Sequence, residues 1–433
     1  MRTDDAPAAA PDRPPPDSAP VKSIRVLFSD LHGIARGKDV PISEFDHVIE
    51  HGLAFCAAVM GTDLRHTPVV GGEEGYPDMT VRPDLATMLS LPWEPGVASC
   101  LADIEAPGAD PRGAVKQAVR RLGALGFEPI VGPELEFFLL EPDSEVPRGY
   151  RRHVDQLSMI YTVGPQADPG GVVRAMTERL AEVGLEASAV HHEFMNSQYE
   201  INLRRADALT AADRAFRLKS AVKDMAAQRG LVATFMGKPF NDQGGSGMHL
   251  HLSLNRDGHN AFDAPGEDHG VAGALHAFVA GVLAHAPALM AFLNPTVNAY
   301  RRLQPDALAP TRADWGWDNR SAFIRIPPER GDGTRLEIRA GDGAANPYLA
   351  IAAVLAAGED GIRAAMTPPP PLSGAELPES LDAALAALAA DAAIAGALGP
   401  PIVDTFFAVK RFELERHRAW VSDWEVDEYL RHL

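Results

Sequence analysis

Two glutamates stand two residues apart in Gly132-Pro133-Glu134-Leu135-Glu136-Phe137-Phe138-Leu139-Leu140, among apolar and aromatic residues that favour extended backbone. Alternate side chains of a strand share a face, so Glu134 and Glu136 point the same way. Adjacent carboxylates repel, and the pair calls for a cation, a shared proton or open water. Downstream, Glu193 and Glu200 flank a turn at Asn196-Ser197 in His191-His192-Glu193-Phe194-Met195-Asn196-Ser197-Gln198-Tyr199-Glu200, so both acids can face a common point across a bend. The stretch from Gly244 to Ser253 then gives a glycine loop whose backbone N–H groups can approach an anion. It is followed by His249, His251 and Ser253 on one strand face, and Lys238 adds a cation upstream. Arginines close the inventory: Arg301 and Arg302, Arg320 and Arg325, and Arg339 two residues after Glu337. The planar guanidinium fork suits phosphate and carboxylate.

Each cluster has a plainer reading on its own. A bare Glu-x-Glu is commonly a solvent-facing edge strand, histidines at i, i+2 are structural as often as ligating, and Glu337 with Arg339 fits an ion pair. The apolar flanks of Glu134 and Glu136 argue against an exposed edge. Together, five or six carboxylates and a histidine select a hard cation, Mg²⁺ or Mn²⁺. Such ions, a glycine loop and several arginines describe phosphoryl transfer from a nucleotide to an acceptor oxygen. Walker A, Rossmann and kinase catalytic-loop patterns are all missing, so the nucleotide site is of another kind.

The elements that must position these residues read as α+β. Strands are expected at Lys22–Phe28, Ile34–Val40 and Ala54–Met60, with a helix at Ser43–His51 capped by Ser43, a loop at Gly71–Pro83 and two short strands within Met88–Ile104. The cluster Ala106-Pro107-Gly108-Ala109-Asp110-Pro111 marks a boundary. Beyond it, helices at Arg112–Leu125, Gly170–Val183 and Thr210–Arg229 (Thr210 as cap) interleave with strands at Pro129–Leu140, Glu186–Glu193, Gln198–Leu203 and His249–Asn255. No regular βαβ repeat appears, and the last eighty residues are mostly helical. The division is residues 1–20 as a disordered tail without a signal-peptide core, 21–107 as a small β-rich domain and 108–433 as a catalytic domain. A net charge of −19 among 433 residues argues against nucleic acid or an anionic membrane as partner and suits a cytoplasmic enzyme. The apolar run Gly270–Leu293 reads as a buried helix, and Cys56 and Cys100 as buried thiols.

In combination and in order, PELEFF, HHE with Q-x-E, GSGMHLHLSL, NPTVNAYRRL, NRSAFIRIP and LEIR with ANPYL resemble the glutamine synthetase family, type I-like, from about Val21 to Leu433. The resemblance implies an N-terminal β-grasp domain, a C-terminal catalytic domain and active sites shared between subunits of a ring, commonly two stacked hexamers. It implies one metal on Glu136, Glu193 and Glu200 and a second on Glu134, His249 and Glu337. Arg302 and Arg339 would bind glutamate, together with Gly245 and Glu193. Arg320 and Arg325 would meet ATP and its transferring phosphate, with Lys238, His251 and Ser253 along the nucleotide pocket. ATP would phosphorylate the γ-carboxylate of glutamate, and an amine would displace the phosphate.

Departures from the family pattern set the expected acceptor. Leu308 stands where ammonia-using members carry a glutamate, the Asp-Gly-Ser-Ser signature is replaced by Met60-Gly61-Thr62-Asp63-Leu64 with only Asp63 as a substitute acid, and Gly244 replaces an asparagine. These changes fit an organic mono- or polyamine, as in the γ-glutamylpolyamine and γ-glutamylmonoamine synthetase branch, better than ammonium. Glutamine synthetase proper and a non-catalytic ring protein are the alternatives. No tyrosine lies between Tyr348 and Tyr429, which removes the tyrosine adenylylated in some bacterial members.

Overall fold

The computed structural model describes residues 20–106, 108–146, 149–154, 159–242, 244–304 and 309–433. The expected tail (apart from Pro20), the boundary residue Pro107 and the acceptor-side Leu308 lie outside them.

The first sheet is built from β1 (Ser23–Ser29), β2 (Ala35–Pro41), β3 (Leu53–Cys56), β4 (Asp78–Pro83), β5 (Leu89–Ser90) and β6 (Val97–Ile104), with helix α1 (Phe45–His51) between β2 and β3. Its order is β2-β1-β6-β4-β3, with β5 on β6 and a parallel pair β1–β6 at its centre, the β-domain expected. Alternation buries Ile24, Val26 and Phe28. Asp30 shapes the β1–β2 turn by accepting the N–H of His32 and Ile34, both at 2.9 Å. Three local expectations change. Ser43 does not cap α1, because the chain enters the helix through a 3₁₀ turn at Ile42–Glu44. The expected strand Ala54–Met60 stops at Cys56 and tightens into a 3₁₀ turn, Ala57–Gly61, where Val70 fills the space a Cβ on Gly61 would need. The loop from Gly71 ends in β4, whose Met79 and Val81 are buried. Cys56 is exposed and only Cys100 is buried.

The second sheet is organised on β7 (Glu128–Pro142), entered from helix α2 (Pro111–Gly123). After it come β8 (Tyr150–Arg152), α3 (Val172–Glu182), β9 (Ala187–His192), β10 (Gln198–Leu203), β11 (Ala206–Asp207), α4 (Ala208–Ala227), β12 (Val232–Thr234), β13 (Met248–Arg256) and β14 (His259–Asn260). Then follow α5 (Gly273–Ala284), α6 (Ala286–Leu293), β15 (Arg312–Ala313), β16 (Trp315–Trp317), β17 (Ile324–Ile326), β18 (Leu336–Ile338) and α7 (Pro347–Arg363). The sheet runs β16-β17-β18-β13-β7-β10-β9, with β8, β11 and β12 also on β7. Leu135, Phe137 and Leu139 are fully buried and join the core of α2, α4 and α7. That leaves the opposite face of β7 for its glutamates. Helix α4 starts at Asp207, which accepts the Thr210 N–H at 3.0 Å, so Thr210 is the residue capped rather than the cap. The run Gly270–Leu293 is two helices, α5 and α6, bent by 75° at His285, and no single helix among the described residues is long and apolar enough to cross a membrane. The strand β19 (Ala375–Glu376) and helices α8 (Leu381–Ala390), α9 (Ala392–Leu398), α10 (Pro400–Arg418) and α11 (Asp423–Tyr429) complete an α+β chain.

Candidate active site

Strand register assembles the site. Glu200 on β10 lies opposite both Glu136 on β7 and His191 on β9. Two positions along β7, His249 on β13 lies opposite Glu134. Two further, Gly132, His251, Glu337 and Arg325 stand in line across β7, β13, β18 and β17. Positions two apart on a strand share a face, so acids and histidines far apart in the chain converge on one side of the sheet.

The convergence is close. His191 Nε2 is 2.6 Å from Glu193 and 3.7 Å from Glu200. His249 Nδ1 is 3.4 Å from Glu134 and 3.7 Å from Glu337, and His251 Nε2 is 2.8 Å from Glu134. Arg335 donates to His251 Nδ1 at 3.0 Å, which makes that nitrogen an acceptor and places the imidazole proton on Nε2, facing Glu134. Glu136 accepts from Gln198 at 2.9 Å and from the Gly247 N–H at 3.0 Å. Asn202 donates to Glu200 at 2.8 Å.

Charge follows geometry. Burial, with Glu134, Glu136 and Glu193 nearby, pushes the Glu200 carboxyl up to about 10, and burial also raises Glu136. Burial works the same way on Glu134 and Glu337 but is outweighed. The two histidines hold Glu134 well below the usual carboxylate range, and His249, His251 and Arg339 bring Glu337 to about 2. Burial and mutual repulsion thus favour protonated Glu200 and Glu136, and a cation bound among these acids would oppose that shift. Three sets of donor atoms are close enough to share an ion: Glu134, Glu200 and His249; Glu134, His251 and Glu337; His191, Glu193 and Glu200. Oxygen-rich sets of this kind fit Mg²⁺ or Mn²⁺. The sets differ from those the resemblance implies: Glu136 belongs to none of them, being held by Gln198 and Gly247, whereas His191 and His251 enter.

The arginines rim this face. Arg325 donates to Glu337 at 2.8 Å and to Asp318, and Arg339 pairs with Glu337 and donates to the Arg320 carbonyl at 2.8 Å. Arg320 itself is exposed. Arg302 is buried, with Nη2 on the carbonyls of Ala340 and Gly341 at 2.8 and 2.6 Å. A Cβ on Gly245 would collide with the Arg302 side chain and the Gly237 carbonyl, which is why glycine stands there. Ser253 is buried on β13, and half-buried Lys238 is anchored by its N–H to Asn298 at 2.8 Å. Asp63 stands apart: it is fully buried, accepts the N–H of Arg65 and Thr67 at 2.9 and 2.8 Å, and pairs with Arg416 of α10.

The pattern of the glutamine synthetase catalytic domain matches residues 108–429. The chain belongs to the glutamine synthetase family. The glutamine synthetases of Thermus thermophilus and Methanocaldococcus jannaschii are each 37% identical to it, over 95% of this chain and 96% and 95% of theirs. A solved GmaS–ADP complex superposes with a TM-score of 0.85 at 32% identity, covering 95% of this chain and 97% of that one. A novel glutamine synthase homolog gives 0.83 at 28%, covering 94% and 97%. Within the glutamine synthetase family the chain resembles the GmaS (γ-glutamylmethylamide synthetase) branch, and it is an ATP-dependent ligase that forms carbon–nitrogen bonds.

Four residues of this glutamine-synthetase site receive no role from the sequence: His191 and Gln198, although they lie inside the HHE and Q-x-E motifs, and Asn202 and Arg335. His191 had a signal, two positions before Glu193 on the same strand face. Arg335 had none, because its partner His251 is reached only through β13–β18 pairing.

Proposed function

We propose that this chain joins the γ-carboxylate of glutamate to a small organic amine at the cost of ATP, through a γ-glutamyl phosphate. The observation that carries the reading is the one-faced cluster of Glu134, Glu193, Glu200, His249 and Glu337, with Glu136 opposite Glu200 and arginines at its rim, in a fold shared with a GmaS–ADP complex. Mg²⁺ or Mn²⁺ held by these acids and histidines would neutralise phosphate charge. On the protein side, Arg325 and Arg320 face the transferring phosphate, Lys238, His251 and Ser253 line the nucleotide, and Arg302, Arg339, Gly245 and Glu193 hold glutamate. A γ-carboxylate oxygen takes the phosphoryl group and ADP leaves. The amine nitrogen then bonds to the acyl carbon as the bond to phosphate breaks. Residues 21–107 and 108–433 are its two domains, and a homo-oligomeric, cytoplasmic enzyme, a dodecamer of two hexameric rings, fits the family.

The acceptor reading rests on missing charge. Leu308 replaces the acid of ammonia-using members, and the carboxylate of Asp63 is already neutralised by Arg416 within its own chain. Ammonium would lose hydration without compensation, while an organic amine gains roughly 0.8 kcal/mol per buried CH₂. Against this, the 37% identity to two glutamine synthetases favours ammonia as a second reading. Glutamate-dependent phosphate release across ammonium and a series of alkylamines decides between them. Expected is a kcat/KM that rises with chain length until the pocket fills, with Leu308→Glu moving preference back towards ammonium. If the native protein makes glutamine as efficiently as any other amide, the organic-amine reading falls.

A further inference from the structure

Beside the acidic cluster lies a buried pair of opposite charges. Asp342 is fully buried. Its Oδ1 accepts the Ala344 N–H at 2.8 Å, while Oδ2 has no hydrogen-bond partner among the described residues. Arg302 Nε, equally buried and without a hydrogen-bond partner, lies 4.0 Å from Asp342 Oδ2. Both N–H groups of Nη2 are spent on the carbonyls of Ala340 and Gly341. Nη1, unlike Nη2, makes no hydrogen bond among the described residues, so its N–H groups are the donors left for a ligand. Two glycines make room for the pair. A Cβ on Gly237 would strike Asp342 Oδ2, and one on Gly245 would strike the Arg302 stem.

We propose that Asp342 is the positioning residue for Arg302, fixing the guanidinium so that its Nη1 edge is presented to the carboxylate of the acid substrate. This rests on the reading of Arg302 as a glutamate-binding arginine. The physical case is that a buried guanidinium without a counter-charge is costly. Asp342 supplies that charge from behind. Two backbone carbonyls fix the plane of the group, and one pair of N–H donors is left pre-aligned for a carboxylate. A bound acid then orders a cation that is already in place, instead of recruiting a flexible one.

Asp342 also caps the turn into α7 through Ala344, so the test must separate positioning from a purely structural role. In the full-length enzyme, Asp342→Asn keeps the volume and the Ala344 contact but removes the charge. The KM for glutamate is expected to rise about tenfold or more, with kcat and the KM for ATP changed by less than about threefold. Arg302→Lys should raise the KM for glutamate as well, and the double variant should be no worse than Arg302→Lys alone, because Asp342 acts only through Arg302. Asp342→Ser, which also keeps a polar atom, provides the same comparison if the asparagine variant does not fold. A rise in glutamate KM for Arg302→Lys with none for Asp342→Asn overturns the positioning role and leaves the glutamate reading standing. No rise in either variant overturns both. Equal loss of glutamate and ATP binding in Asp342→Asn shows a structural role and overturns the proposal.

Discussion

Glu200 is a carboxylate that folding has placed where it cannot easily ionise. It is buried with Glu134, Glu136 and Glu193 around it, and its proton affinity rises to about 10. Burial and like charge thus favour its protonated form, and a bound cation would oppose that shift. Replacing it with the uncharged isostere should help the metal-free fold and harm the loaded enzyme. In chelator, Glu200→Gln is expected to melt at or above the native temperature, since it removes a group that must be neutralised on folding. With Mg²⁺ and ATP, its glutamate-dependent phosphate release should fall on the order of a hundredfold or more, and that of Glu136→Ala likewise. Thermal melts in chelator and a phosphate assay over a Mg²⁺ titration measure both. Near-native turnover in Glu200→Gln would remove that acid from the cation site, and in Glu136→Ala it would show that the neighbouring carboxylate does not support the site.

Helix junctions carry a second set of charges, remote from the acidic cluster. His285 sits at the bend between α5 and α6, with Nδ1 2.7 Å from Asp391 and Nε2 3.1 Å from Asp360 of α7. Carboxylates accept only, so both ring nitrogens donate and the ring is an imidazolium. Burial pushes its pKa down, but the bonds to Asp391 and Asp360 outweigh burial and raise it above 6.5. Asp391 is also the cap of α9, accepting the Ile394 N–H at 3.0 Å. With the folded pKa raised, the contribution to stability is complete below about 6.5, the unfolded value, and is lost as pH rises through the folded value. His285→Gln should therefore cost about 1–2 kcal/mol at pH 6 and progressively less at pH 8 to 9. Urea melts of both proteins over that range test it, and a cost independent of pH would show that the ring is neutral.

At the scale of the whole molecule, the C-terminal segment is dressed for a partner. Trp420, Val421, Trp424, Tyr429, Leu430 and Leu433 are exposed on and around α11, with Trp420 at 64% and Leu430 at 75%, gathered in one short segment. A run of exposed apolar side chains in one segment fits an interaction site. It fits the oligomer proposed above. Ending the chain after Ala419 is expected to lower the assembled mass in light scattering while α10, with its buried Ile402, Phe406 and Val409, keeps the subunit folded. An unchanged mass would place the subunit contacts elsewhere.

The sequence alone determined which residue types were available and which local elements carried them. Glu134 and Glu136 had to share a face because strand side chains alternate. The break near Pro111 and the α+β alternation followed from turn formers and periodicity, and motif order disclosed the family. Local signals failed where two neighbours competed for one role, as at Thr210, which Asp207 caps, and at Ser43, which a 3₁₀ turn absorbs. Tertiary structure decided everything that depends on register between distant strands. Pairing of β7, β9, β10, β13 and β18 brought His191 and His251 in among the acids, engaged Glu136 with Gln198, and gave Arg335 a histidine to orient. It also paired Asp63 with Arg416 and set Asp342 behind Arg302. Spacing along a chain fixes the face on which a side chain stands. Only packing fixes which other charges share that face, and in a buried site those charges set protonation, orientation and the ligand that can enter.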